Sequence, residues 1–252
     1  LAAYCAEEYG KSAYEVFAET LQVKDLGFSY KVPIKDHFFY FKEKLEGMRF
    51  DAIAFGIQKH TEEILTKWVM NGVAKTNIRN VIMSGGVAQN VKANKLITEL
   101  DCVDSLFIPP GPGDESISIG AAYLLSEKSG IKSSGIECIP NAYFTKKTSD
   151  SVVETVLEKA KQNGFSVEKT NPKLIAQILA DGEVIARFSS KPGEFGARSL
   201  GNRSIIADPR NPEVVSQINK VVKMRDFSMP FAPSILEEFE DQYIKNPKKI
   251  DA

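Results

Sequence analysis

The sequence contains no run of about 18 apolar residues, so nothing in it reads as a membrane-spanning helix. It also lacks a basic-then-apolar opening, which argues against a secretory signal. Only three cysteines occur, Cys5, Cys102 and Cys138, far apart and odd in number. A disulfide scaffold or a zinc ribbon needs paired, closely spaced cysteines, so these read as reduced thiols of a cytoplasmic protein and as small buried hydrophobes. Histidine is scarcer still. His37 and His60 are singletons, neither with a partner four residues on, and both are expected to be structural. Excess charge is missing too: the formal net charge is -1, so the bulk gives no reason to expect nucleic acid or a membrane surface as partner. A neutral total can still hide a local cluster of arginines. Internal repeats and low-complexity tracts are absent.

What is present is an ordinary globular balance, 43% hydrophobic and 26% charged over 252 residues, with room for one large domain or two modest ones. The chain opens on Leu1 where Met is usual, which points to processing or truncation. Helical spacing of Tyr4, Ala13, Val16 and Phe17 predicts a helix over 2–21, followed by a less regular aromatic stretch from Phe28 to Phe41. A second helix is expected over 53–69, stopping before Asn71-Gly72. The most ordered pattern comes next. A buried-type strand at Asn80–Met83 meets Ser84-Gly85-Gly86 and a helix over 90–100. A strand at Ser105–Ile108 then meets a Pro/Gly loop and a helix over 116–126, with Asp114 at its N-cap. Strand–loop–helix repeated in this way predicts an α/β layer with its loops at one sheet end, where ligands bind. The Ser/Gly-rich stretch Gly130–Pro140 reads as a domain boundary. Beyond it the pattern predicts a helix over 151–162, a strand over 165–169, a helix opened by Asn171-Pro172, a strand over 183–188 after Asp181-Gly182, and a helix near 212–222.

Four constellations carry candidate chemistry. In Ser84-Gly85-Gly86-Val87-Ala88-Gln89-Asn90, glycines after a strand let amides approach a phosphate, though a tight strand-to-helix turn asks for the same glycines. In Pro109–Ser116, Asp114 is placed to hold a divalent metal or orient a phosphate-bound magnesium, or else simply to cap a helix. In Glu194–Ser204, Arg198 and Arg203 stand five apart among Gly196, Ser199, Gly201, Asn202 and Ser204. That composition suits a loop that grips a phosphate or carboxylate. Solvated arginines are the plain alternative, and Glu194 could be the partner that pins one of them. In Lys223–Ser234, Lys223 and Arg225 would project to one side of an extended segment, or else complement the end of the preceding helix.

These segments resemble the O-carbamoyltransferases of nodulation-factor and antibiotic biosynthesis. EFGARSLGNRSIIADPR is similar to that family's C-terminal signature, usually written E-F-G-P-R-A-L-G-x-R-S-I-L-A-D-P-R. SGGVAQNVKANKLI and IPPGPGDESISIGAA resemble the second half of its N-terminal domain, and KMRDFSMPFAPSIL the stretch after the signature. The resemblance implies an α/β fold in two parts. Residues 1–138 would be the second half of an actin/Hsp70-like (ribonuclease H-like) domain, and 139–252 the N-terminal part of a YrdC-like domain. It also implies a chemistry. Carbamoyl phosphate and ATP give carbamoyl adenylate in the second domain, and the carbamoyl group then passes to a hydroxyl of a sugar or small metabolite in the first.

On this reading Arg198, Arg203, Lys223 and Arg225 are catalytic. Ser84, Gly85, Gly86, Val87, Asn90, Glu194, Gly196, Ser199, Asn202 and Ser204 bind the nucleotide and phosphates. Asp114 supplies one ligand to a divalent metal, iron or magnesium, that belongs to the full-length protein. Three departures stand out: Ala197 for the signature's Pro, Ser199 for its Ala, and Met229 where many members carry Arg. Leu1-Ala2-Ala3-Tyr4 resembles the tail of the family's G-K-x-M-G-L-A-P-Y-G motif, while its upstream H-x-x-x-H pair and downstream N-T-S-F-N segment do not occur. A fragment of this kind is expected neither to hold the transfer metal tightly nor to turn over. Two other readings stay open: carbamoyl-adenylate chemistry serving tRNA threonylcarbamoyl modification, and a non-catalytic actin-like nucleotide-binding module.

Overall fold

The computed structural model describes residues 1–131, 141–144, 146–189, 191–196, 198–227 and 229–245. Helices and short strands alternate, giving a mixed α/β protein that forms two compact units. One is made of the described residues of Leu1–Gly113 and Glu237–Ala252, the other of those of Asp114–Leu236. Most of the stretch read as a domain boundary, residues 132–140 with Cys138, lies outside the described residues. No helix among the described residues is long and apolar enough to cross a membrane.

In the first unit, α1 (Glu7–Ala18) buries Gly10, Ala13 and Phe17, an i, i+3, i+7 stripe. The hairpin β1 (Leu21–Lys24) and β2 (Gly27–Tyr30) pairs Lys24 with Gly27 around a turn in which Asp25 takes φ 55°. It is followed by α2 (His37–Leu45), whose N-cap Asp36 accepts the Phe39 amide at 3.1 Å. The aromatic stretch read as less regular thus holds a strand and a short helix, with residues 31–36 in neither.

The long helix α3 (Phe50–Thr76) passes straight through Asn71-Gly72, where the sequence suggested a stop. An interior glycine costs only about 1 kcal/mol, and the buried stripe Leu65, Val69 and Val73 continues across it. Asn77, left-handed at φ 57°, ends the helix by donating its amide to the Val73 carbonyl. α3 also anchors the hairpin turn. The Trp68 indole N–H donates to the Leu26 carbonyl at 2.8 Å, Asn71 Nδ2 donates to the Asp25 carbonyl, and Lys75 pairs with the Asp25 carboxylate at 3.0 Å.

β3 (Asn80–Ile82), α4 (Val91–Glu99) and β4 (Ser105–Phe107) form the expected crossover unit, with β3 and β4 parallel and in the register Val81 to Leu106. Val81 and Leu106 pack on a core of Leu65, Val69, Val73, Met83, Ala88, Ala93, Ile97 and Val103. The partner pair Ile82 and Phe107 faces outward, 75% and 56% exposed.

In the second unit, Asp114 starts a short 3-10 turn ahead of α5 (Ile117–Lys128), and the N-cap position belongs to Ser116. The N-cap expectation for Asp114 is thus corrected by two residues. α6 (Asp150–Gln162) ends near Gly164 at φ 81°, and α7 (Pro172–Ala180) opens on Asn171, whose side chain accepts the Leu174 amide at 3.0 Å. Residues 165–169 are not a strand, because no ladder partner lies beside them among the described residues. The turn at Asp181-Gly182 (φ 94° at Gly182) leads into β5 (Ile185–Phe188), which pairs antiparallel with β6 (Arg203–Ile206). α8 (Glu213–Gln217) then widens into a π-helical turn, Ile218–Val222.

Candidate functional site

The loop after β3 is fastened from two sides. The Gly85 amide and the Ser84 hydroxyl both donate to the Pro112 carbonyl, at 2.7 and 3.3 Å, so the two loops that follow the parallel strands meet. Gly85 sits at φ 102°, a conformation other residues avoid. Gly86 is different: its φ is ordinary, and a Cβ there would meet nothing within 4 Å. Neither backbone strain nor a neighbour explains glycine at 86, whereas close approach by a ligand would. Its amide and that of Val87 begin the short turn Gly86–Gln89 and have no acceptor within it.

Asn90 is occupied internally. Its Oδ1 accepts from the Ala93 amide and Gln58 Nε2, while its Nδ2 donates to Gln58 Oε1 at 3.0 Å. Gln58 also donates to buried Glu62, which pairs with Lys92 at 3.6 Å.

The second loop runs from residue 191 into β6, and Glu194 is its centre. The side chain is buried, and Oε1 accepts the amides of Leu200, Asn202 and Arg203 at 3.0, 2.6 and 3.1 Å. Oε2 accepts from Arg203 Nε at 3.3 Å, and Arg203 Nη2 donates to the Glu194 carbonyl at 2.6 Å. Burial alone would raise this carboxyl. The main-chain donors outweigh it, those of Glu194 itself, Arg203, Leu200 and Asn202, and hold it down to about 2. Glycines make the loop's path feasible. Gly196 and Gly201 have φ of 94° and 106°, and a Cβ at Gly193 would come within 2.9 Å of the Arg203 guanidinium carbon.

Ser199 and Ser204 share a hydroxyl–hydroxyl bond of 2.6 Å, and Ser204 also accepts the Gly201 amide. The segment 141–144 braces the outside. The Phe195 amide donates to the Ala142 carbonyl, the Tyr143 hydroxyl to the Leu200 carbonyl, and Phe144 stacks on Phe195 at 4.8 Å.

The structure therefore separates the two signature arginines. Arg203, at the start of β6 and not in a free loop, is tied to Glu194. Arg198 is exposed and has no partner among the described residues. Arg187 on β5, which the sequence reading did not single out, reaches Asn202 Oδ1 at 3.4 Å and adds a third guanidinium to this loop. Asn202 Nδ2 donates to the Pro192 carbonyl.

Lys223 and Arg225 do not lie on an extended segment. Lys223 is the C-cap of the π-helical turn with right-handed backbone angles, Met224 is left-handed at φ 48°, and the side-by-side projection expected of an i, i+2 pair does not occur. Arg225 turns back instead: Nε donates to Asn219 Oδ1 at 2.6 Å and the guanidinium lies 4.5 Å over the Phe231 ring. Asn219 also escaped the sequence reading. Its one signal was a carboxamide beside the apolar i, i+4 pair Val214 and Ile218. Ala197 and Ser228, in the same motifs, lie outside the described residues.

Among the described residues no group of three or more His, Cys, Asp or Glu is placed to hold a metal ion. Asp114 by itself does not make such a site. Cys5 is buried and Cys102 half-buried, both free thiols. His60 is buried in α3 with Nε2 unpartnered among the described residues, and burial lowers its pKa.

Comparison with known proteins gives this geometry a setting. The carbamoyltransferase N-terminus family matches residues 7–123, and the carbamoyltransferase C-terminus family matches residues 176–251. An uncharacterised protein of Methanocaldococcus jannaschii is 33% identical over 244 residues, 95% of this chain and 39% of its own length. Nodulation protein NolNO of Sinorhizobium fredii is 31% identical over 231 residues, 90% of this chain and 31% of its own. Nodulation protein U of the same species is 30% identical over 161 residues, 64% of this chain and 26% of its own. The chain thus spans less than two fifths of the length of these curated relatives. Both family matches enclose the loops described above, the glycine loop after β3 in one and the Glu194 loop in the other, and with them the chain belongs to the carbamoyltransferases, a family of enzymes.

Proposed function

We propose that this chain carries parts of an O-carbamoyltransferase that uses ATP and carbamoyl phosphate, through carbamoyl adenylate, to carbamoylate a hydroxyl of a sugar or small metabolite. Residues 1–138 belong on this reading to an actin/Hsp70-like transfer domain, and 139–252 to a YrdC-like domain that forms the adenylate. The observation that carries it is the Glu194 loop. A buried carboxylate fixes the main chain and Arg203, which leaves Arg198 exposed and uncommitted beside the Ser199–Ser204 hydroxyl pair.

A planar guanidinium on a braced loop suits a phosphate or carbamate oxygen, and donors fixed in advance need no reorganisation as charge develops. In this scheme Arg198 meets the anion directly, with Lys223 and Arg225 adding positive charge. Glu194, Gly196 and Asn202 hold the loop's shape. Ser84 and Asn90 do the same for the glycine loop, where Gly86 and Val87 offer amides to the nucleotide. Asp114 would be one carboxylate of a divalent metal site whose other ligands come from outside the described residues.

The test is Arg198→Ala in the intact protein. Carbamoyl-phosphate-dependent release of pyrophosphate from ATP should fall on the order of 10²-fold, the usual cost of losing one preorganised donor. A rate within threefold of the parent would overturn this assignment.

A further inference from the structure

We infer that Asn219 is a positioning residue that acts through Arg225, orienting its guanidinium before any anion arrives; this rests on the reading of Arg225 as an anion-holding group. Asn219 is completely buried, in the π-helical turn Ile218–Val222, a widening of the helix that is often found at functional sites. Every polar atom of its carboxamide is engaged. Oδ1 accepts from Arg225 Nε at 2.6 Å, and Nδ2 donates to the carbonyls of Phe227 at 3.3 Å and Met229 at 3.1 Å. Its carbonyl takes the Arg225 amide at 2.9 Å, so the same residue holds both the main chain and the side chain of the arginine. The left-handed turn at Met224 (φ 48°) is what brings Arg225 back within reach.

The contacts are one-sided. The inner edge of the guanidinium is taken by Asn219, Nη2 donates to the Pro230 carbonyl at 3.4 Å, and one face lies on Phe231. Nη1 has no partner among the described residues and is left for a ligand. A buried carboxamide used only for packing could be exchanged for an apolar group together with its partners at little cost. This one instead fixes the aim of a long, flexible cation, and ordering such a side chain beforehand lowers the cost of binding.

The experiment uses the intact protein, with KM for carbamoyl phosphate and kcat measured separately from pyrophosphate release at saturating ATP. Arg225→Ala should raise KM at least tenfold. Asn219→Ala should do likewise with kcat within about threefold, and the double variant should be no worse than Arg225→Ala, because the two residues act in series. Asn219→Asp keeps an oxygen for Arg225 Nε but sets its second oxygen against the Phe227 and Met229 carbonyls, so it should lower the melting temperature while holding KM within threefold of the parent. Arg225→Lys leaves Asn219 untouched but cannot make the Nε contact, so KM should rise nearly as far as in Arg225→Ala.

If Arg225→Ala changes neither constant, the anion-holding reading of Arg225 is wrong and the inference goes with it. If Arg225→Ala acts as stated but Asn219→Ala only lowers the melting temperature, or the two effects multiply, the inference alone is overturned. Should Asn219→Ala not fold, Arg225→Lys decides: a parent-like KM there means that the Asn219 contact aims nothing.

Discussion

Glu194 keeps its negative charge inside the protein because main-chain amides stand in for the water it gave up. Its carboxyl ionises near 2 in the folded chain, against an ordinary 4.5, so the folded form prefers the charged state. The sign follows from that depression. The stabilisation is complete above pH 4.5 and drains away as pH falls from there towards 2. Glu194→Gln puts an N–H₂ group where amides point, and should lower the melting temperature at pH 7 while flattening its pH dependence across that window. Thermal melts of the two proteins from pH 7 to 2 check it; parallel curves would mean that the loop is held by something else.

The sequence made Glu194 legible as a partner for one of the arginines, and Arg203 is that arginine. It did not reveal the three amides, because no spacing rule encodes which backbone groups a folded loop turns inward. Asn219 was hidden for a related reason. A buried carboxamide one residue past an apolar stripe reads as a helix surface until the helix widens.

At the scale of elements, α1 and α3 approach each other closely. A Cβ on Gly56 would stand 2.6 Å from the Tyr14 amide nitrogen and 2.7 Å from the Ala13 carbonyl carbon, both backbone atoms that cannot swing aside. Gly56→Ala should therefore cost about 1–3 kcal/mol, the usual range for overpacking, read from urea denaturation. An unchanged midpoint would show that the helices separate freely. The crossover unit was legible because apolar runs and glycine loops repeat in order, and the Asn171-Pro172 opening of α7 because its residues are local signals. The hairpin β1–β2 was missed since its turn, Asp25-Leu26, lacks the Asn-Gly type of signal and is held from outside by α3. Residues 165–169 had a strand's composition with no partner to pair with, and pairing is a property that composition does not carry.

On the scale of the whole molecule, the first unit concentrates its apolar burial beneath the short parallel sheet, with Ile97 completely enclosed. Ile97→Ala should cost about 2–5 kcal/mol, since the cavity it leaves is walled by helix and sheet together, and chemical denaturation measures it. The opposite face of that sheet carries Ile82 and Phe107 in the open, although parallel sheets are usually covered on both sides. The 252-residue chain should bind a solvatochromic dye such as ANS at this face, and Ile82→Ser with Phe107→Ser should abolish most of the signal. Trp68 has a consequence of a different kind. It is the sequence's one tryptophan, it borders the core of the first unit, and its N–H is held by the hairpin carbonyl of Leu26. Intrinsic fluorescence excited at the red edge of protein absorption therefore comes from a single place, and release of the hairpin tip should shift its colour before the core itself gives way.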